Sequence, residues 1–249
     1  MGGLPVVFLH ALRTSHTMWR SQVMAVEAAG HQAVAVDLPG HGVRRGEEFT
    51  LDGAVAAAAD AVAAAGGRAL VVGLSLGGYV AIAHAARHPE QVAALVAASC
   101  CTRPFRPVVR SWEMLSRALL RLPDRGAALN NLVAAAMLPP PAVADAAAGG
   151  WSLEVMTSAL SAMAVADPLG DLARVEAPVW LVNGRFDHFR GEERAFLAAC
   201  RDGRLVVVPG ATHMVSLVRP TRFTRAVLEA LAAADEREVA HAAGARVSR

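Results

Sequence analysis

Lysine is absent from this 249-residue chain, and all 24 of its basic side chains are arginines. A lysine Schiff base is thereby excluded as a catalytic device. Charge of one sign is scarce as well. The arginines face 22 acids, the formal net charge is +2, and no basic tract is long enough to grip a polyanion, so nucleic acid is not an expected partner. Cysteine occurs three times, at Cys100, Cys101 and Cys200. Two adjacent thiols and one distant one make no disulfide framework, which fits a reducing cytosol. No Cys/His cluster has metal-ligand spacing, so neither a metal nor an organic cofactor is expected.

Long hydrophobic runs are missing too. The stretch Ala54–Ala65 carries Asp60 and is too short to cross a bilayer. The start, Met1–His10, has no positive region ahead of its short apolar run, unlike a secretory leader. A cytoplasmic protein that meets no membrane is expected. The apolar share of 54% is weighted to alanine, which favours helices at little cost in side-chain entropy, and the length suffices for one large domain.

Apolar, β-branched runs recur at Pro5–His10, Gln32–Asp37, Arg68–Leu74, Val92–Ser99, Pro178–Asn183 and Arg204–Val208. Helical patterns separate or follow them at Met18–Ala29, Leu51–Ala65, Leu76–Arg87, Glu192–Cys200 and Thr221–Ala233. This alternation predicts an α/β fold with a doubly wound, mostly or wholly parallel six-stranded sheet. Arg103 to Asp171 breaks the rhythm with helical segments only, around Trp112–Leu122, Arg125–Met137 and Trp151–Val165, punctuated by Pro139-Pro140-Pro141 and Gly149-Gly150. Residues 103–171 are therefore expected to form a helical cap inserted into a core of residues 1–102 and 172–249. Asp235–Arg249 is polar and aperiodic, and is expected to fray.

Gly73-Leu74-Ser75-Leu76-Gly77 lies between the third strand run and a helix. A G-x-S-x-G string is weak by itself, but on a strand-to-helix turn it describes a nucleophile elbow. The turn is so tight that positions two before and two after the serine tolerate almost no side chain. Ser75 is then pushed out at the carboxyl end of the sheet, where open parallel sheets place their ligands. Leu12, Asp187 and His213 also fall just after strand runs.

The chain thus resembles the α/β-hydrolase family from Val6 to about Leu231. The resemblance implies a Ser75, Asp187 and His213 triad, in the family's chain order. Asp187 ends the segment Pro178–Asp187, which looks like the family's strand and G-x-x-D turn. His213 ends Pro209-Gly210-Ala211-Thr212-His213, like the loop after the family's last strand. Ser99-Cys100-Cys101 fills the position where some members carry the acid one strand earlier. Asp167 and Asp171 read as residues that anchor the chain. Histidine can take the serine proton during attack and return it to the leaving group, while the aspartate fixes the imidazole tautomer.

The resemblance further implies an oxyanion hole from the N–H groups of Leu76 and Leu12. Ala11 stands where the family carries glycine, and alanine is strained there if that position needs positive φ. Asp37–Gly42 reads as a structural turn. The family's first two strands have no counterpart before Val6, leaving Gln32–Asp37 as an exposed edge open to a partner. Trp112, Trp151 and Met156 are candidate substrate contacts from the cap.

The implied function is a serine hydrolase acting through an acyl-enzyme on a carboxylic ester, lactone or thioester with an apolar part. The partners implied are a small-molecule substrate, with a carrier-borne acyl group or a homodimer as further options. Arg103, Arg106 and Arg110 could draw a carboxylate or such a carrier, although a solvated cap surface explains them as well. A lyase or acyl transferase on the same scaffold is the alternative, and a ligand-binding protein the lesser one.

Overall fold

Strands form where the apolar runs lie: β1 (Val6–Leu9), β2 (Ala33–Val36), β3 (Ala69–Leu74), β4 (Val92–Ala98), β5 (Val179–Gly184) and β6 (Gly203–Val208). The computed structural model describes residues 3–247, with side chains through residue 240. The strands make one sheet in the order β2-β1-β3-β4-β5-β6, and every pairing is parallel. β1, β3, β4 and β5 are buried along their whole length, as continuous apolar runs in a doubly covered sheet should be. β2 is half-buried and pairs only with β1, so the expected edge is present.

The helices are α1 (Arg20–Ala28), α2 (Leu51–Ala64), α3 (Leu76–Arg87), α4 (Arg106–Leu119), α5 (Ala127–Met137), α6 (Pro140–Ala147), α7 (Met156–Met163), α8 (Pro168–Arg174), α9 (Glu193–Ala199), α10 (Val215–Val218) and α11 (Pro220–Val247). One face of the sheet packs against α2, α3, α8 and α9 through residues such as Val55, Ile82, Leu172 and Phe196. The other face packs against α1, α10 and α11, where Phe8, Trp19 and Phe223 stack in a row with ring centroids 5.1 and 5.8 Å apart. The chain leaves β1 for β2 on one side and returns to β3 on the other. That switch opens a crevice beyond the carboxyl ends of β1 and β3.

Among the described residues no strand interrupts the stretch between β4 and β5, and α4 packs on α7 above the sheet. α8 packs instead on α3 and α9. Pro139–Pro141 does not merely break a helix. Pro140 opens α6, because its fixed φ suits a first turn and its missing N–H has no carbonyl to reach there. A second expectation also needs correction. Asp235 and the residues after it do not fray but continue α11 to Val247, while residues 248–249 of that segment lie outside the described residues. Tertiary contacts hold this extension: Asp235 accepts from the Leu4 N–H at 3.2 Å and lies 3.6 Å from His31, Glu238 pairs with Arg68 at 2.8 Å, and Arg237 pairs with Asp202.

The turn from β3 into α3 is the tightest place in the fold. A Cβ on Gly73 would collide with the Gly77 carbonyl, and a Cβ on Gly77 with the carbonyl of Leu9 in β1. Gly46, by contrast, has open space around it and no positive φ. Gly73→Ala and Gly77→Ala are each expected to lower stability by about 1–3 kcal/mol. Gly46→Ala should change it by less than about 0.5 kcal/mol. Urea unfolding of the three variants measures the difference.

Candidate active site

Ser75 sits between β3 and α3 with φ 55° and ψ −114°, a strained conformation for a residue with a Cβ. Such strain costs of order 1–3 kcal/mol and persists where surrounding contacts over-determine the backbone. Here they do. The Ser75 N–H donates to Ala98 O at 2.8 Å, Gly77 N–H donates to His10 O at 3.1 Å, and Ser75 O accepts from Tyr79 N–H at 3.1 Å.

Two segments bring the charged chemistry to this hydroxyl. His213 follows β6 and its Nε2 lies 2.9 Å from Ser75 Oγ. Its Nδ1 lies 2.9 Å from Oδ1 of Asp187, which follows β5 in a turn closed by Asp187 N–H to Gly184 O. Asp187 is almost fully buried, and its Oδ1 also accepts from Phe189 N–H at 2.8 Å. Burial alone would raise the Asp187 carboxyl. The hydrogen bond and charge of His213 and the Phe189 N–H outweigh it and hold the carboxyl below its usual range. With Asp187 ionised and accepting, the Nδ1 of His213 carries the proton and Nε2 is left to accept from Ser75.

Further residues support the histidine that the sequence did not single out. Ser99, itself in the left-handed region at φ 54°, donates its hydroxyl to His213 O at 2.7 Å and holds the histidine loop against the end of β4. The rings of His188 and Phe189 flank that of His213 at 4.8 and 4.9 Å. Asp187, His188 and His213 converge closely enough to hold a cation, but Asp187 Oδ1 and both nitrogens of His213 are already engaged in the hydrogen bonds that link Asp187, His213 and Ser75.

The N–H of Leu76, first residue of α3, has no intrahelical carbonyl to reach. The Leu12 N–H is likewise uncommitted among the described residues. The loop carrying Leu12 is fixed by two histidines. His10 Nε2 accepts from Leu38 N–H at 3.0 Å, and its Nδ1 therefore donates to Ala11 O at 2.9 Å. His41 Nε2 accepts from Arg13 N–H at 3.3 Å while its Nδ1 donates to Pro39 O at 2.9 Å. Ala11 is not among the positive-φ residues, so the strain anticipated there does not arise. The left-handed turn falls two residues later, on Arg13 at φ 70°. The turn Asp37–Gly42 is structural as expected, with buried Asp37 accepting from the N–H groups of His16 and Val43.

Of the cap candidates, Trp151 and Met156 are partly buried, whereas Trp112 stands half exposed on α4. Arg103 pairs with Glu192 at 2.7 Å, and Arg106 and Arg110 lie exposed on α4. Asp167 caps α8 through Gly170 N–H, and Asp171 pairs with Arg174.

The sheet order, the serine turn and the placement of acid and histidine define the class of protein, and comparison with known proteins agrees. The chain belongs to the alpha/beta hydrolase family, whose model matches residues 6–226, and is an α/β-fold hydrolase. It is 29% identical over 255 residues to the pimeloyl-[acyl-carrier protein] methyl ester esterase of Edwardsiella ictaluri, covering 92% of this chain and 93% of that protein. It is 39% identical over 105 residues to "Probable esterase PIR7A" of Oryza sativa subsp. indica, a match spanning 40% of each chain. Among solved structures, a thermophilic esterase from Thermogutta terrifontis superposes with a TM-score of 0.78 at 23% identity, covering 94% of this chain and 91% of that one. No helix among the described residues is long and apolar enough to cross a membrane.

The two loop histidines make stability depend on pH. Burial, reinforced by the nearby charge of His41, pushes the His10 pKa down to about 3. Burial also lowers that of His41. In the unfolded chain both take up protons near pH 6.5. The unfolded state therefore binds more protons than the native state from that value downwards, and stability falls on acidification. The depressed carboxyls of Asp37 and Asp187 add further loss once pH drops below their unfolded values. Urea unfolding is expected to show stability declining steadily from pH 6.5 to pH 4. His10→Gln, which keeps an acceptor near Leu38 N–H but does not titrate, should make that decline shallower.

Proposed function

We propose that this chain hydrolyses carboxylic esters, lactones or thioesters through a covalent acyl-enzyme on Ser75. The observation that carries the reading is the continuous hydrogen-bonded line from Ser75 Oγ through both nitrogens of His213 to Asp187, at 2.9 and 2.9 Å. As Ser75 Oγ attacks the carbonyl carbon, His213 Nε2 takes the hydroxyl proton, and Asp187 stabilises the imidazolium without accepting that proton. The N–H groups of Leu76 and Leu12 receive the developing oxyanion. Collapse of the tetrahedral intermediate breaks the bond to the leaving group, which takes the proton from His213. Water then repeats the sequence against the acyl-enzyme, with His213 again as base, and returns free Ser75.

The substrate is a small molecule with an apolar part, for which Trp112, Trp151 and Met156 supply contacts from the cap side. Support comes from the full-length relative that is named an esterase and from the esterase neighbour in structure.

Turnover of a graded series of nitrophenyl esters, a lactone and a thioester tests this reading. At least one class should be hydrolysed. Ser75→Ala and His213→Ala should each cost at least about 10⁴-fold in kcat. The double variant should lose scarcely more than either single one, because the two residues act as a unit. Full turnover in Ser75→Ala, or additive losses in the double variant, would overturn the proposal.

A further inference from the structure

Arg13 differs from the other arginines around the cap. It directly follows Leu12, and its side chain is half-buried where the loop after β1 meets α5. Its recorded side-chain bond runs from Nη1 to Oδ1 of Asn130 at 3.0 Å. No carboxylate lies within ion-pair distance of it among the described residues. Acids of the segment from α6 to α9 are committed elsewhere: Asp145 to Arg20, Glu154 to Arg125, Asp171 to Arg174 and Glu192 to Arg103. Burial bears against the charge of Arg13 with nothing opposing it. A half-buried guanidinium with no carboxylate of its own chain is a ready partner for an anion from outside.

Asn130, the side-chain partner of Arg13, has a donor to spare. Asn130 is only 7% exposed, and its carbonyl oxygen is spent on Arg13, while its Nδ2 is buried with no partner. Ser152, which is fully buried, donates its backbone N–H to Arg13 O at 2.9 Å, and its hydroxyl also lacks a partner. A guanidinium and the unpartnered amide of Asn130 thus lie together one residue beyond the Leu12 N–H, with the unpartnered Ser152 hydroxyl on the segment bonded to the Arg13 backbone. The strained φ of 70° at Arg13 would suit glycine or asparagine better, yet an arginine occupies the position. The missing chemistry is an anionic acceptor, and a carboxylate matches the planar fork of arginine.

We infer that Arg13, with Asn130, binds a free carboxylate on the substrate, so that the natural substrate is the half-ester, lactone or thioester of a dicarboxylic acid. This rests on the hydrolytic reading and adds the substrate class to it. The ester carbonyl would lie at Ser75 and Leu12, with the carboxylate beside the loop, beneath α5.

Binding to the full-length Ser75→Ala protein tests this without turnover. Calorimetry would compare the monomethyl and dimethyl esters of succinic, glutaric and adipic acids. At least one half-ester should bind about 10- to 100-fold more tightly than its diester, the range given by a charge-assisted hydrogen bond. Adding Arg13→Met should erase that preference. Asn130→Asp supplies the missing counter-ion from within the chain, so it should erase the preference too and raise Tm. The Asn130 variant keeps the test intact if Arg13→Met fails to fold. Equal binding of every half-ester and diester pair would overturn the inference, as would a preference that survives Asn130→Asp. Either result leaves the hydrolytic reading standing, because ester turnover decides that separately.

Discussion

The close approach of two backbones at the β3–α3 turn is the constraint on which the rest depends. Gly77 lies so near the carbonyls of Leu9 and His10 that a methyl group has no room, and its N–H is bonded to His10. That contact ties the start of α3 to the end of β1. It sets Ser75 upright, leaves the Leu76 N–H unpaired and brings the Leu12 loop alongside. Remove it, and Ser75, the N–H groups of Leu76 and Leu12, and His213 lose their common frame. The strain at Ser75 follows from the same contact and is held by hydrogen bonds to β4 and α3.

The loop after β1 touches both the sheet and the helices that lie between β4 and β5. Two buried neutral histidines anchor its core side, each accepting a backbone N–H through Nε2. From the same loop, Thr17 donates to Asp145 O and accepts from Gly149 N–H, and Arg13 reaches Asn130. The contact to α5 therefore lies one residue from the Leu12 amide. Under the proposed function, specificity and transition-state stabilisation would share this one short segment.

Much of this was legible in the sequence. Period and composition marked all six strands, because buried parallel strands are continuous apolar runs with little else to resemble. The glycines at 73 and 77 marked the turn, since a backbone that close leaves a compositional trace. Other features left no such trace. The role of Ser99 rests on a positive φ and a long-range bond to His213, and neither has a local pattern. The proline run read as a break because its effect depends on whether a helix ends before it or begins at it. The extension of α11 was hidden because its polar sequence is held by scattered contacts to Leu4 and Arg68 rather than by an apolar stripe. Arg13 was passed over for a related reason: its unusual quality is the absence of a counter-ion, which only three dimensions reveal.

The claim most exposed to test is that Ser75 is the activated nucleophile. Its hydroxyl alone combines a strained turn, a histidine acceptor at 2.9 Å and two unpaired N–H groups alongside. The direct measurement is intact-protein mass spectrometry after exposure to an alkyl fluorophosphonate, followed by peptide mapping. One adduct per chain, located on Ser75 and absent from Ser75→Ala, is the expected result. An adduct on another residue, or labelling of Ser75→Ala at the wild-type rate, would contradict it.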